Sequence, residues 1–203
     1  MKSMNVISSI VWIFMLSSCS FIAKECIQDG WLKESLINYH SADKIEVLYQ
    51  IDQVFDQFDK AISYNKKNWS SGYFQKTQFA RKLYFISTSS SFIYFKTKKE
   101  FINYICTIYQ DWFLQNPNDI QHCVPYAMTL YLCGEFEKMN ELLHLYYNPD
   151  LNYNAQTIPL NDFYNFIAGY YLGLIDIQKF KNTDYERFFN LDDEDILVTF
   201  VGF

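Results

Sequence analysis

Turn-forming residues are scarce: the chain has six glycines and four prolines in 203 residues. Sandwiches and barrels need many tight turns built on these residues, so all-β architectures are disfavoured. Histidine is scarcer still, with His40, His122 and His144 in three separate segments. None stands at metal-ligand spacing, and the His122-Cys123 adjacency is not a zinc pattern, whose ligands come in spaced pairs. A glycine-rich phosphate loop, Gly-x-Ser-x-Gly and His-Glu-x-x-His are all missing. A Cys/His hydrolase would need His122 to meet Cys106 or Cys133 through folding alone. The sequence therefore nominates no catalytic residue, no cofactor and no metal. Cations are also short, 17 Lys and Arg against 23 Asp and Glu, a net charge of −6. Without a basic stripe, nucleic acid is a poor partner, because phosphate contacts supply most of that affinity. Long apolar runs are absent too. The best, Val6 to Leu16 with Ser8 and Ser9 inside it, is about half the roughly 20 residues that a spanning helix needs.

What is present starts with that short run. Lys2 precedes it and no acidic residue comes before Glu25, the charge pattern of a secretion signal. Leu16-Ser17-Ser18-Cys19 follows, and it resembles the lipobox of bacterial lipoprotein precursors. The resemblance implies cleavage between Ser18 and Cys19, loss of residues 1–18, and lipidation (palmitate or a similar acyl group) of Cys19. Two or more acyl chains hold a protein on a membrane durably, whereas one holds it marginally. Ser20 stands where an aspartate would imply inner-membrane retention, so the implied site is the outer membrane, facing the periplasm. The alternative is an ordinary cleaved signal in which Cys19 is incidental.

Four further cysteines, Cys26, Cys106, Cys123 and Cys133, permit two disulfides in an oxidising compartment. If Cys123 and Cys133 share one helix they lie about 15 Å apart, beyond the roughly 7 Å a bridge can span. That leaves Cys26 with one of them and Cys106 with the other. Equally, each thiol can serve as a small buried hydrophobe.

Helical periodicity dominates the rest. Residues 20–40 read as a lipidated tether leading to a docking segment around Trp31, Leu32, Leu36 and Ile37. Val47, Leu48, Ile51, Val54, Phe55, Phe58, Ala61 and Ile62 form one helix face. A loop at Lys66 to Gly72 precedes a helix carrying Phe74, Ala80, Tyr84 and Phe85. The serine-rich run Ser87 to Ser91 predicts a kink or an internal boundary, since hydroxyls compete for backbone hydrogen bonds. Phe101, Ile102, Ile105, Ile108, Tyr109, Trp112 and Phe113 mark the next face, and Asn116 to Asp119 a turn. Two helices follow, split at Gly134 as a left-handed cap; the second buries Phe136, Met139, Leu142, Leu143 and Tyr146 and stops before Pro149. A loop runs from Asn148 to Leu160. Phe163, Phe166, Ile167, Tyr170, Tyr171 and Leu174 then give a face with Gly169 and Gly173 as a close-packing stripe. Thr183 to Glu186 matches a capping box that would open a last helix with Tyr185, Phe188 and Phe189. Asp192 to Asp195 lacks the ligand spacing of a calcium loop and reads as a solvated acidic run. The apolar end, Ile196 to Phe203, reads as a strand-like tail that docks on the helices. Asn68-Trp69-Ser70 matches a glycosylation sequon, which has no bearing on a bacterial chain.

Ala127, Gly134, Phe136, Met139 and Leu143 resemble a tetratricopeptide unit. A second pair at 161–189 lies too far along for a strict array. The expected fold class is all-α: antiparallel helical hairpins in a bundle or a short curved, tetratricopeptide-like stack. The expected organisation is a signal peptide (1–18), a tether and docking segment (19–40) and a helical domain (41–203) with a sub-boundary at 87–91. Aromatics make up 20% of the chain, which suits protein recognition and equally suits an AT-rich genome. The lipoprotein resemblance and the acidic, motif-free body together point to a protein partner. One expectation is a toxin, neutralised by an immunity lipoprotein. Another is a component of an envelope machine, assembled by a pilotin-type factor. A cell-wall-acting enzyme is the expectation from a different class.

Overall fold

A computed structural model describes residues 2–65, 72–117, 120–151 and 162–201, with side chains from residue 19 onward except 120 and 121. The side chains of the leader, the 66–71 loop with its sequon, the end of the Asn116 turn, most of the 148–160 loop and Phe203 lie outside the described residues. Eight α-helices are present among the described residues and no strand is. The chain divides into two compact units, Met1–Lys96 and Thr97–Phe203.

The first unit holds α1 (Lys2–Ser35), α2 (Lys44–Tyr64) and α3 (Gly72–Ser89). Asp43 starts α2 by accepting hydrogen bonds from the Ile45 and Glu46 amides, both at 3.1 Å, two of the donors a helix start leaves unpaired. The periodic residues of α2 then turn inward as their spacing requires, except Leu48, which is exposed. Trp31 of α1 packs on Phe58 and Phe79, with ring centroids at 5.4 and 6.3 Å, and Phe55 meets Phe79 at 4.8 Å. Burying each such ring contributes about 1.5–3 kcal/mol. Trp31 Nε1 donates to Gln75 Oε1 at 2.8 Å, so the indole also satisfies its polar end.

One expectation changes here. Residues 19–35 are helical and docked, with Ala23 already buried four residues past Cys19, where a tether was expected. Trp31 and Ile37 do pack inward, whereas Leu32 and Leu36 face solvent. The serine run is where α3 stops, at Ser89. Its hydroxyls bond back to the preceding turn, Ser87 to Leu83 O at 2.7 Å and Ser89 to Phe85 O at 2.7 Å, which a helix end tolerates. Ser87 Oγ also accepts from the Tyr94 amide at 2.9 Å, shaping the exit toward buried Phe92 and Phe95.

The second unit holds α4 (Lys98–Gln115), α5 (Ile120–Leu132), α6 (Phe136–Tyr146), α7 (Phe163–Tyr171) and α8 (Asp193–Ile196), which runs into a π-helical turn, Leu197–Val201. Thr97 caps α4 through the Glu100 amide at 3.1 Å, and the predicted α4 face is buried through Trp112. Gly134 has φ of 79° and ends α5 as expected. The Glu135 amide reaches Leu130 O and the Gly134 amide reaches Tyr131 O, both at 2.9 Å, the paired bonds of a Schellman end. The α5–α6 hairpin therefore forms, but the second pair expected at 161–189 does not: α7 is followed by the 3₁₀ turns Ile177–Phe180 and Glu186–Phe188.

Three further expectations are corrected. Gly173, at φ of 70°, ends α7 and touches nothing a Cβ would reach, so only Gly169 is a close-packing site. At the Thr183 box Glu186 Oε2 accepts from Asn182 N at 2.6 Å rather than from Thr183, and only one short turn follows. The adjacent Phe188 and Phe189 both dock on α7, against Phe163 at 4.8 Å and Tyr170 at 4.7 Å. A helix would turn neighbours about 100° apart, so extended backbone at Phe189 wins. The tail is helical rather than strand-like. Asp192 caps it through Glu194 and Asp195 amides at 2.8 Å, and Ile196, Leu197, Phe200 and Val201 are buried at helical spacing. A lone strand would leave its amides without partners.

Candidate protein-binding surface

The side chains nominated by sequence do not assemble into one site. Cys19 and Cys26 lie half-buried on α1; Cys106 is half-buried on α4, Cys123 buried on α5, and Cys133 half-buried just past its end. All five are free thiols in this structure. His40 and His144 are exposed and His122 is buried against Trp112. Among the described residues no group of His, Cys, Asp or Glu is placed to hold a metal ion. Asp192 to Asp195 are all exposed, serving as a helix cap and, through Glu194, an ion pair with Lys98 at 2.8 Å. No helix among the described residues is long and apolar enough to cross a membrane.

The shifted tyrosines and cysteines move toward their neutral forms because of burial. Burial pushes Tyr171 up, helped by Tyr170 and Tyr131, and burial pushes up Tyr39, helped by Glu34. Glu34, nearly fully buried, accepts from Tyr39 Oη at 3.0 Å and pairs with Lys82. That triad ties the end of α1 to α3. Another buried polar device holds the loop after α6: Asn165 Oδ1 accepts from the Asn148 amide at 2.6 Å while its Nδ2 donates to Asn148 O at 3.1 Å. Neither device has a periodic signature, so sequence reading passes over both.

Two surfaces offer apolar contact. In the first unit, Leu36 is 74% and Ile45 82% exposed, with Leu32, Leu48 and Tyr49 also exposed. Ile45, Leu48 and Tyr49 stand at helical spacing, so α2 presents an apolar stripe outward. The stripe runs into Asp52 and Asp56, which line an open hollow with Tyr49, Gln53, Gln57, Lys33 and Lys60. The hollow sets two acids against two lysines, so its formal charge is balanced, and the stripe beside it supplies apolar contact area.

The second unit carries a groove of about 330 Å³ over α5, between α4 and α6. Phe113, Leu114, Tyr126, Leu130, Leu142 and Leu145 form its apolar lining, and Gln110, Lys138 and Glu141 its polar edge. Leu114 and Leu145 are each 66% exposed. Lys138 pairs with Glu135 at 3.0 Å, and that hydrogen bond raises its affinity for its proton. Against known proteins, no family model, no curated protein and no solved structure matches this chain.

Proposed function

We propose that this chain is a bacterial lipoprotein, anchored through acylated Cys19 on the periplasmic side of the outer membrane, which binds a protein partner without catalysis. The observation that carries the reading is the register of Leu16-Ser17-Ser18-Cys19 at the end of an apolar run too short to span a bilayer. The docking of α1 supports it further: with Ala23 buried, the folded body begins about 6 Å along the helix from the anchor. The protein then works close to the membrane surface.

The occupant of the exposed apolar stripe on α1 and α2 is a basic protein, and the closest fit is a periplasm-acting toxin that an immunity lipoprotein neutralises. Net charge supports fast, salt-sensitive capture of such a partner. A second reading, an assembly factor for an envelope machine, draws on the tetratricopeptide-like α5–α6 hairpin and its groove. The two readings use different surfaces. Pull-down from envelope extract with Ile45→Asp separates them from Leu145→Asp, since both positions are exposed and folding is spared. Loss of the captured protein with Ile45→Asp alone supports toxin binding, and loss with Leu145→Asp alone supports assembly. Retention by both variants defeats both. Release of soluble fragments from purified cell wall by the protein would establish the enzyme reading instead.

A further inference from the structure

The register of α4 against α5 brings two cysteines together. Trp112 stacks on His122, while Asn103, earlier on α4, meets Cys133 just past the end of α5, so the helices run antiparallel. Going back along α4 therefore means going forward along α5. Cys106 faces Thr129 and Cys133, close enough that the two thiols influence each other's ionisation. Asn103, one turn before Cys106 on the same face, accepts from Cys133 Sγ at 3.7 Å. Cys123 lies ten residues before Cys133, back along α5, roughly 15 Å away. It cannot compete for Cys133.

We propose that Cys106 and Cys133 are a redox pair that closes into an intramolecular disulfide, clasping the middle of α4 to the C-terminal end of α5. Access is built in. Cys133 lines a surface hollow of about 520 Å³ with Asn103, Ile102, Lys98 and Lys99. The oxidant is a disulfide of small-molecule or protein origin. One thiolate attacks a sulfur of that disulfide and expels one thiol, leaving a mixed disulfide on the protein. The second thiolate attacks the bound protein sulfur and expels the other thiol. Two cysteine thiols thus become one S–S bond, and the donor disulfide is reduced to two thiols. Burial holds both thiols above the ordinary range, so closure is slow at neutral pH and quickens as pH rises. The clasp closes a loop of about 28 residues, long enough to restrict the unfolded chain appreciably. The envelope reading supplies an oxidising setting in the cell, but the geometry does not depend on it.

The test equilibrates the purified, reduced protein with oxidised glutathione, blocks remaining thiols with iodoacetamide, and maps linkages by peptide mass spectrometry. Expected is one linkage, Cys106 to Cys133, with a melting temperature roughly 5–10 °C above that of the reduced protein. The gain disappears in Cys133→Ser, which sits at a helix end where serine is tolerated, and persists in Cys123→Ser. Linkage of either thiol to Cys26 overturns the proposal. So does full alkylation of both after oxidation, or a lasting glutathione adduct on Cys133. Because the oxidant is added, a failure here leaves the anchoring proposal standing, and a failure of anchoring leaves this one standing.

Discussion

Trp112 and His122 stack nearly face to face, with ring centroids 5.0 Å apart and planes 13° from parallel. The pair sets the register of α4 on α5, on which the groove and the facing of Cys106 and Cys133 both depend. Trp112 also stacks on Tyr109 at 6.1 Å. Trp112→Ala removes a large buried ring from this layer and is expected to cost about 3–5 kcal/mol, read from urea denaturation. A loss below about 1 kcal/mol would mean that the stack does not set the register.

Two glycines carry opposite expectations. A Cβ at Gly72 would stand 2.1 Å from Phe58 O, a backbone atom of α2 that cannot yield. Gly72→Ala should push α3 off α2 and lower stability by about 1–3 kcal/mol or more. Gly134 has open space around it and a φ of 79°, so Gly134→Ala should cost only about 1 kcal/mol of left-handed strain. Thermal melts of the two variants side by side check the order, and the reverse order would contradict it.

Glu34 is buried between Tyr39 and Lys82. Lys82→Met leaves a buried carboxylate with its cation gone, expected to cost about 1–3 kcal/mol given that the lysine is partly solvated. Glu34→Gln keeps an acceptor for Tyr39 and should cost less. Chemical denaturation of both variants decides; equal losses would place the effect in packing rather than charge.

Burial, then the charge and hydrogen bond of Cys106, then Glu135, push the Cys133 thiol up to about 11 from an ordinary 9.0. Raised in the folded state, this group contributes stability that is intact below pH 9 and lost as pH climbs toward 11. The tyrosines raised by burial start from 10.0 and act in the same direction later. Reduced protein should therefore lose stability between about pH 9 and 10, and Cys133→Ser should lose less there. Parallel curves for the two proteins in that interval would refute the assignment.

The helices were legible where one face is buried along a whole element. The spacing in α2 and α4 names almost every residue that turns inward, because 3.6-residue periodicity is imposed by the core itself. Gly134 was legible because a left-handed cap has few alternatives. The tail reads as strand-like in sequence although Ile196, Leu197, Phe200 and Val201 repeat at four; a short apolar run is ambiguous without its cap, Asp192. Phe188 and Phe189 read as helical because the Thr183 box is a local helix signal, which the packing of both rings on α7 overrides. Glu34, Asn165 and the Cys106–Cys133 pairing depend on residues distant in sequence, and no local pattern encodes them. The exposure of Leu32, Leu36, Ile45 and Tyr49 is likewise a tertiary fact, since the sequence cannot say which apolar residues are left over once the core is full.

Attachment at Cys19 is the claim on which the location and the partner both rest, and intact-mass spectrometry of protein extracted from the membrane fraction tests it most directly. The account predicts a chain beginning at Cys19 and heavier than its sequence by a diacylglyceryl group, with Cys19→Ala soluble. A mass retaining residues 1–18, or an unmodified Cys19 on protein that still sediments with membranes, would contradict it.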